Sequence, residues 1–241
     1  MRISRIYEPA QLAGNKTLLL PGEVSHYLTH VLRLRVGHRL HLFNARDGEF
    51  VGEISNINKN DVAVDLLTRV RKSEIPSLKI HLALGLSRGD KMDYAIQKSS
   101  ELGVAQITPV YSQHSEVKLK ANRVENKLRH WRKIAISACE QCGRLDIPEI
   151  SAPCSIPQWF EMGSADLDLM LEPTGTDKLP DAINTKSINL LVGPEGGFAD
   201  QEVNWARDHG FVIVAIGSRV LRAETAPVAA LAILQHRYGD M

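Results

Sequence analysis

The sequence predicts an α/β protein in two parts. A small, mostly β domain occupies residues 1–72, and an alternating β/α domain with a mostly parallel sheet occupies residues 73–241. Three observations carry this. Short strand-length runs separated by turn residues follow one another up to about residue 70. From Leu78 onward, apolar runs alternate with helical periodicities. Near the C-terminus, Leu190-Leu191-Val192 and Val212-Ile213-Val214-Ala215-Ile216 each stop on a glycine-bearing turn that hands over to a helix. Such turns at the carboxyl ends of parallel strands form ligand crevices.

In the first part, residues 2–7 and 17–20 are short strands, the second ended by Pro21-Gly22. Residues 23–34 have helical spacing, with Val24, Tyr27, Leu28, Val31 and Leu32 on one face, and Gly37 is the expected stop. Strands at 39–43, 50–57 and 62–70 follow, with turns at 44–48 and 58–61. Short strands at this spacing with one helix suggest a small barrel. The polar, proline-bearing run from Lys72 to Ser77 is the expected boundary.

In the second part the expected strands are 79–84, 107–111, 168–171, 188–192 and 212–216. The expected helices are 91–102, capped by Gly103; 122–142, stopped by Gly143; 157–162; a short span after Phe198; and 227–238, with Pro227 in its first turn.

The net charge is only +1, but it is segregated. Residues 1–72 carry eleven Lys/Arg against seven acids, and residues 118–133 carry seven against Glu125 alone. Residues 139–181 carry two against nine acids. That distribution permits a polyanion-binding face, although a solvated helix face explains any single cluster as well. Three cysteines and no secretory signal fit a reducing cytoplasm, and Cys139-Glu140-Gln141-Cys142 reads as structural, since no second ligand pair accompanies it. No metal-spaced His/Asp cluster appears, the nine histidines are scattered, and no apolar run reaches membrane-spanning length.

Gly193-Pro194-Glu195-Gly196-Gly197 is neither a dinucleotide fingerprint nor a phosphate loop, and its acid would repel a pyrophosphate. A neutral or cationic ligand suits it better. If the two strands are neighbours, Arg219, Arg222, Glu224 and Thr225 of the second turn come beside it. Two arginines among exposed backbone donors would then hold a ligand carboxylate or an RNA phosphate.

Leu191-Val192-Gly193-Pro194-Glu195-Gly196-Gly197-Phe198, followed by Ile216-Gly217-Ser218-Arg219-Val220-Leu221-Arg222-Ala223-Glu224-Thr225-Ala226, resembles the signature of the RsmE family. These are bacterial 16S ribosomal RNA methyltransferases of the SPOUT superfamily. Met1 to Tyr7, Val31-Leu32-Arg33, Ser87 to Met92, Gln97 to Val104, Cys139 to Arg144 and Pro148-Glu149-Ile150 extend the resemblance over the whole length.

The resemblance implies a PUA-like barrel that binds RNA, and a methyltransferase domain whose last turns form a trefoil knot. It implies S-adenosylmethionine as cofactor, N3 of a 16S rRNA uridine in the small subunit as target, a homodimer and a cytoplasmic location. Carried over residue by residue, the cofactor site is Leu171, Glu172, Pro173, Val192, Gly193, Pro194, Glu195, Gly196, Gly197, Ile216, Gly217, Arg219, Val220, Leu221 and Thr225. The RNA-facing set is Arg2, Arg5, Arg33, Arg35, Arg88, Lys91 and Arg144.

Methylating uracil N3 requires loss of its proton. Glu224 or Glu195 is the candidate base, and Arg222 would stabilise the uracil oxygens; a Glu224 simply paired with an arginine is the competing reading. Three departures from the family pattern stand out. His114 replaces a usual arginine, Ala199 replaces a helix-capping serine whose role Asp200 would take, and Ala223 and Pro227 replace threonine and an aliphatic residue. A non-catalytic RNA-binding protein and an enzyme with a tRNA target are the alternatives.

Overall fold

The computed structural model describes residues 3–59, 61–73, 76–181 and 184–241; Arg2 lies outside them. The chain divides into two compact units, Met1–Ile75 with Cys139–Ile147, and Pro76–Ala138 with Pro148–Met241.

The first unit contains β1 (Arg5–Tyr7), β2 (Thr17–Leu20), α1 (Gly22–His26, running on as a π-helical turn over Tyr27–Val31), β3 (Arg39–Asn44), β4 (Gly48–Ile57) and β5 (Val62–Arg71). The sheet order is β1-β3-β4-β5-β2; β1 lies parallel to β3 and the other pairs are antiparallel. Every strand contributes to one core, with Ile6, Leu20, Leu40 and Leu42, Ile54, and Val62, Val64 and Leu66 packed around Leu28 of the helix. The sheet therefore curls about that core. The helix is shorter than its apolar spacing suggests. Arg33 adopts φ +55°, and Leu34 N–H donates to the Leu28 carbonyl at 2.9 Å, which ends the helix before Gly37.

The second unit contains β6 (Lys79–Gly85), α2 (Gly89–Glu101), β7 (Gln106–Tyr111), α3 (Ala121–Cys142, its last four residues grouped with the first unit), β8 (Glu149–Ile150), β9 (Cys154–Ser155) and α4 (Ile156–Phe160). β10 (Leu167–Leu171), β11 (Ser187–Val192), α5 (Asp200–Asp208), β12 (Val212–Val214) and α6 (Ala226–Tyr238) complete it. The sheet runs β12-β10-β11-β6-β7-β8, with β9 also on β7, and every recorded pair is parallel. Five consecutive buried residues, Ile188 to Val192, show that β11 is covered on both faces, as parallel strands require.

Met170, Leu191 and Ile213 face a cluster with Trp159, Ala206 and Phe211. His81 belongs to this interior as well. It lies 3.0 Å from Trp159 Nε1 and 2.8 Å from Thr108 Oγ1, and burial lowers its pKa to about 4, so it packs as a neutral ring. Among the described residues, no helix is long and apolar enough to cross a membrane.

Candidate active site

Because the sheet is parallel, the carboxyl ends of β12, β10 and β11 lie side by side at one edge. The two glycine turns do not leave adjacent strands, so they are not brought together by direct strand pairing. β10 stands between β11 and β12, and its own exit, Leu171-Glu172-Pro173, lies between the other two. β12 also ends at Val214, two residues short of expectation, which frees Ala215 and Ile216 for the loop. Together the three exits wall a cavity of about 380 Å³.

Thirteen of the fifteen residues expected to hold a cofactor line this cavity. Gly196 and Thr225 do not. Gly196 turns away: a Cβ there would stand 2.9 Å from His114 Cβ and 3.0 Å from the His114 carbonyl, and His114 Nδ1 lies 3.1 Å from the Gly196 carbonyl oxygen. A glycine at this position leaves room for the loop that bears His114. Gly197, at φ +66°, closes the turn by donating its N–H to the Pro194 carbonyl at 2.9 Å. Phe198, Val214, Ala223 and Ala226 also line the cavity; nothing in their residue type marked them, and only adjacence to the named turns could have.

The two candidate bases differ in surroundings. Glu195 accepts a hydrogen bond from Lys91 Nζ at 3.1 Å. Burial pushes its carboxyl up, but its own backbone amide, Lys91 and Ser87 together hold it below the usual range. Glu224 has a side chain only 16% exposed, and its Oε2 is buried without a hydrogen-bond partner among the described residues. Its Oε1 lies 4.0 Å from Arg222, whose side chain is 83% exposed, so that pair is loose. Both Arg222 and Glu224 line the cavity.

The residues expected to face RNA divide sharply. In the first unit, Arg33 and Arg35 are exposed. Arg5 is not on an open rim. Its guanidinium donates to both oxygens of Glu49 at 3.0 and 3.2 Å and to the carbonyls of Cys139, Glu140, Gly143 and Arg144 at 2.7–3.2 Å. Carbonyls gathered at the end of α3, where the helix leaves acceptors unpaired and its dipole is negative, draw a buried cation there, although Cys139 O also accepts from Gly143 N–H at 3.1 Å and Gly143 O from Arg71 at 2.7 Å. Arg144 is also half-buried, with Asp146 at 2.6 Å. In the second unit, Arg88 pairs with Glu116 at 2.7 Å on the surface, and Lys91 lines the cavity beside Glu195.

Capping of α5 falls to Glu202, not Asp200. Its Oε2 accepts from Ala199 N–H at 2.9 Å, and its Oε1 accepts from Gln113 N–H at 2.9 Å. Contact with Cys142, and burial, push the Cys139 thiol far up, and no cluster of three metal-type side chains forms among the described residues.

Comparison with known proteins adds to this geometry. The profile of an RNA methyltransferase domain matches residues 73–235, and that of an RNA methyltransferase PUA domain matches residues 20–67. The chain is 37% identical over 244 residues to the ribosomal RNA small subunit methyltransferase E of Buchnera aphidicola from Schizaphis graminum, covering 100% of this chain and 98% of that protein. It is 28% identical to the protein of that name from Bacillus subtilis, covering 94% and 93%.

Among solved structures, a protein from Legionella pneumophila with bound S-adenosylmethionine superposes with a TM-score of 0.94 at 38% identity. The ribosomal RNA small subunit methyltransferase E of Neisseria gonorrhoeae, also bound to S-adenosylmethionine, superposes at 0.91 and 33%. Both comparisons cover 100% of each chain. With matches that run through both units and across the three strand exits, this chain belongs to the ribosomal RNA small subunit methyltransferase E family.

Proposed function

We propose that the chain methylates N3 of a uridine in 16S ribosomal RNA of the small subunit, using S-adenosylmethionine, in the cytoplasm and as a homodimer. The observation that carries this is the cavity built from three neighbouring strand exits, with one buried carboxylate oxygen left without a partner. About 380 Å³ falls within the range of small-ligand sites. Leu171, Pro173, Val192, Ile216, Val220 and Leu221 offer apolar walls for a purine, and the backbone of Gly193, Pro194, Glu195 and Gly197 offers polar groups for a ribose. Glu172, Glu195 and Glu224 suit a sulfonium and an ammonium, while Lys91 and Arg219 suit a carboxylate.

Bound there, S-adenosylmethionine supplies an electrophilic methyl group. The chain's own task is to align uracil and remove the N3 proton. Glu224 Oε2 takes that proton, being a buried carboxylate oxygen to which no donor among the described residues is bound. Arg222, on the exposed rim of the same turn, stabilises the oxygens of the uracil anion. Glu195, tied to Lys91, keeps the turn in place.

A trefoil knot in the C-terminal turns belongs to this reading. It is supported by the path of the segment after β10 beside β12, where Glu172 N–H donates to the Val214 carbonyl and Asp177 N–H to the Ile213 carbonyl. The homodimer is supported by α6, whose outward side carries Ala229, Ala232 and an Ile233 that is 39% exposed.

Mass-spectrometric mapping of 16S rRNA from cells with and without the gene tests the reaction. Loss of an N3-methyluridine is the expected result, and an unchanged level rejects the target. Calorimetric titration with S-adenosylmethionine tests the site separately.

A further inference from the structure

The most one-sided charge in the chain takes no part in the cavity. Over residues 118–133, seven Lys/Arg meet a single acid, Glu125. The structure puts most of them on α3. Leu128, Trp131, Ala135 and Ala138 are the buried side of that helix, so Arg123, Arg129, Arg132 and Lys133 stand exposed across its outer side, with Lys127 half-buried at the flank. Lys118 and Lys120, also exposed, precede its first turn.

This arrangement works against the helix itself. Cations crowd its amino-terminal half, where the macrodipole favours acids, and its first turn has none. Arg123 with Lys127, and Arg129 with Lys133, are like charges one turn apart. Among the described residues, the side chains of Lys118, Lys120, Arg123, Lys127 and Arg129 make no ion pair or hydrogen bond. A local rule broken this consistently, with no partner among the described residues for those five side chains, marks a surface kept for something outside the fold.

The surface also starts close to the cavity. His114 contacts the Gly196 carbonyl, and Lys118 follows four residues later, within about 14 Å of extended chain. Further along, His130 Nε2 meets Asp93 Oδ2 at 2.7 Å, which ties α3 to the helix that bears Lys91.

We infer that the outer side of α3, with Lys118 and Lys120 ahead of it, is a track for the phosphate backbone of ribosomal RNA. It would hold the strand that delivers the target base to the cavity. The inference rests on the proposed rRNA-methyltransferase function, and it assigns the catalytic unit an RNA contact of its own. Arg123, Lys127 and Arg129 span about one and a half turns, enough to neutralise two or three phosphates through long, mobile side chains.

The test compares the full-length protein with the triple variant Arg123→Gln/Lys127→Gln/Arg129→Gln, in binding to a 16S rRNA transcript over a range of salt. A second triple variant, Lys79→Gln/Lys186→Gln/Arg207→Gln, removes the same charge from exposed positions elsewhere on the unit. The α3 variant is expected to lose about 10-fold or more in affinity at 0.1 M salt and to flatten the plot of log affinity against log salt by about 2–3. The second variant should change neither. S-adenosylmethionine titration should be unaltered in both, and the α3 variant should melt no lower than the parent.

Equal affinity and slope in the parent and the α3 variant overturn the inference and point this side of the helix to an acidic protein surface instead. Equal losses in the two triple variants overturn it as well, since charge alone and not this face would be responsible. Failure of the parent protein to bind the transcript or S-adenosylmethionine at all is a different result; it removes the underlying functional reading.

Discussion

Lys91 Nζ stands 3.1 Å from Glu195 Oε1, joining the first turn of α2 to the glycine turn after β11. A lysine expected to face RNA and an acid expected to act as a base thus neutralise each other. The side chains are 44% and 31% exposed, so the pair contributes at most about 1 kcal/mol. Lys91→Met should weaken S-adenosylmethionine binding by no more than about 5-fold and leave the salt dependence of RNA binding nearly unchanged. Calorimetry and filter binding measure the two. A large drop in RNA affinity alone would return Lys91 to the RNA side.

Glu224→Gln separates chemistry from binding. Loss of the proton acceptor should lower kcat by about 10²-fold or more, while the S-adenosylmethionine Kd stays within a few fold. Glu195→Gln should show the reverse emphasis, with a modest effect on binding and kcat largely kept. Single-turnover methyl transfer to 16S rRNA distinguishes them, and a fully active Glu224→Gln enzyme disproves the assignment.

Gly196→Val will act through His114. Its Cβ would meet the Cβ and carbonyl of His114 at 2.9–3.0 Å, and backbone cannot move aside cheaply. A loss of about 1–3 kcal/mol in stability is expected, with weaker S-adenosylmethionine binding as a secondary result of a displaced turn. A thermal melt without ligand reads the first effect. An unchanged melt with lost binding would put Gly196 in the cavity wall after all.

Arg5 and Arg33, equal as candidate RNA contacts in the sequence, should behave oppositely. Arg5 and Glu49 have side chains 14% and 8% exposed, so Arg5→Ala leaves the buried Glu49 carboxylate with His41 alone and removes the Arg5 donors from the Glu140 and Arg144 carbonyls. About 3 kcal/mol of stability should go with it. Arg33→Gly relieves a left-handed backbone at φ +55° and should raise stability by about 1 kcal/mol, while weakening RNA binding. Chemical denaturation and RNA titration of both variants make the comparison.

Asp47 provides a pH signature in the first unit. Arg46 holds its carboxyl down at about 2 against an opposing burial, helped by the Leu12 amide and Asn44. Since the folded value lies below the usual 3.8, this stabilisation is complete above that pH and disappears as pH falls toward 2. Asp47→Asn should therefore lower the Tm by about 2–4 °C at pH 6, and parent and variant should converge near pH 2. A constant difference across the range would mean that shape, not charge, holds the turn.

Much of the fold was legible because its signals are local. β2 falls on the residues its pattern marked, and the helices ended by Gly103 and Gly143 stop where positive-φ glycines allow, at φ +83° and +94°. The end of α1 was not legible, since Arg33, at φ +55°, takes a left-handed conformation four residues before Gly37 does at φ +84°. β8 and β9, two residues each, are too short for any periodicity to register. The return of residues 139–147 to the first unit depends on Arg5, more than 130 positions earlier, and no linear reading of composition could show it.

The sequence by itself determined which turns wall the cavity. Glycines at 193 and 197, and acids at 195 and 224, are residue types whose backbone freedom and acidity can be read without knowing their surroundings. Only the tertiary structure decided what each charge is for. It placed β10 between β11 and β12, paired Glu195 with Lys91, left Glu224 Oε2 without a donor among the described residues, buried Arg5 and set Arg123, Lys127 and Arg129 along α3 without an ion pair among those residues. Hydrogen bonds and ion pairs act over about 3 Å between groups far apart in the chain, so periodicity can set a segment's shape without naming its partner.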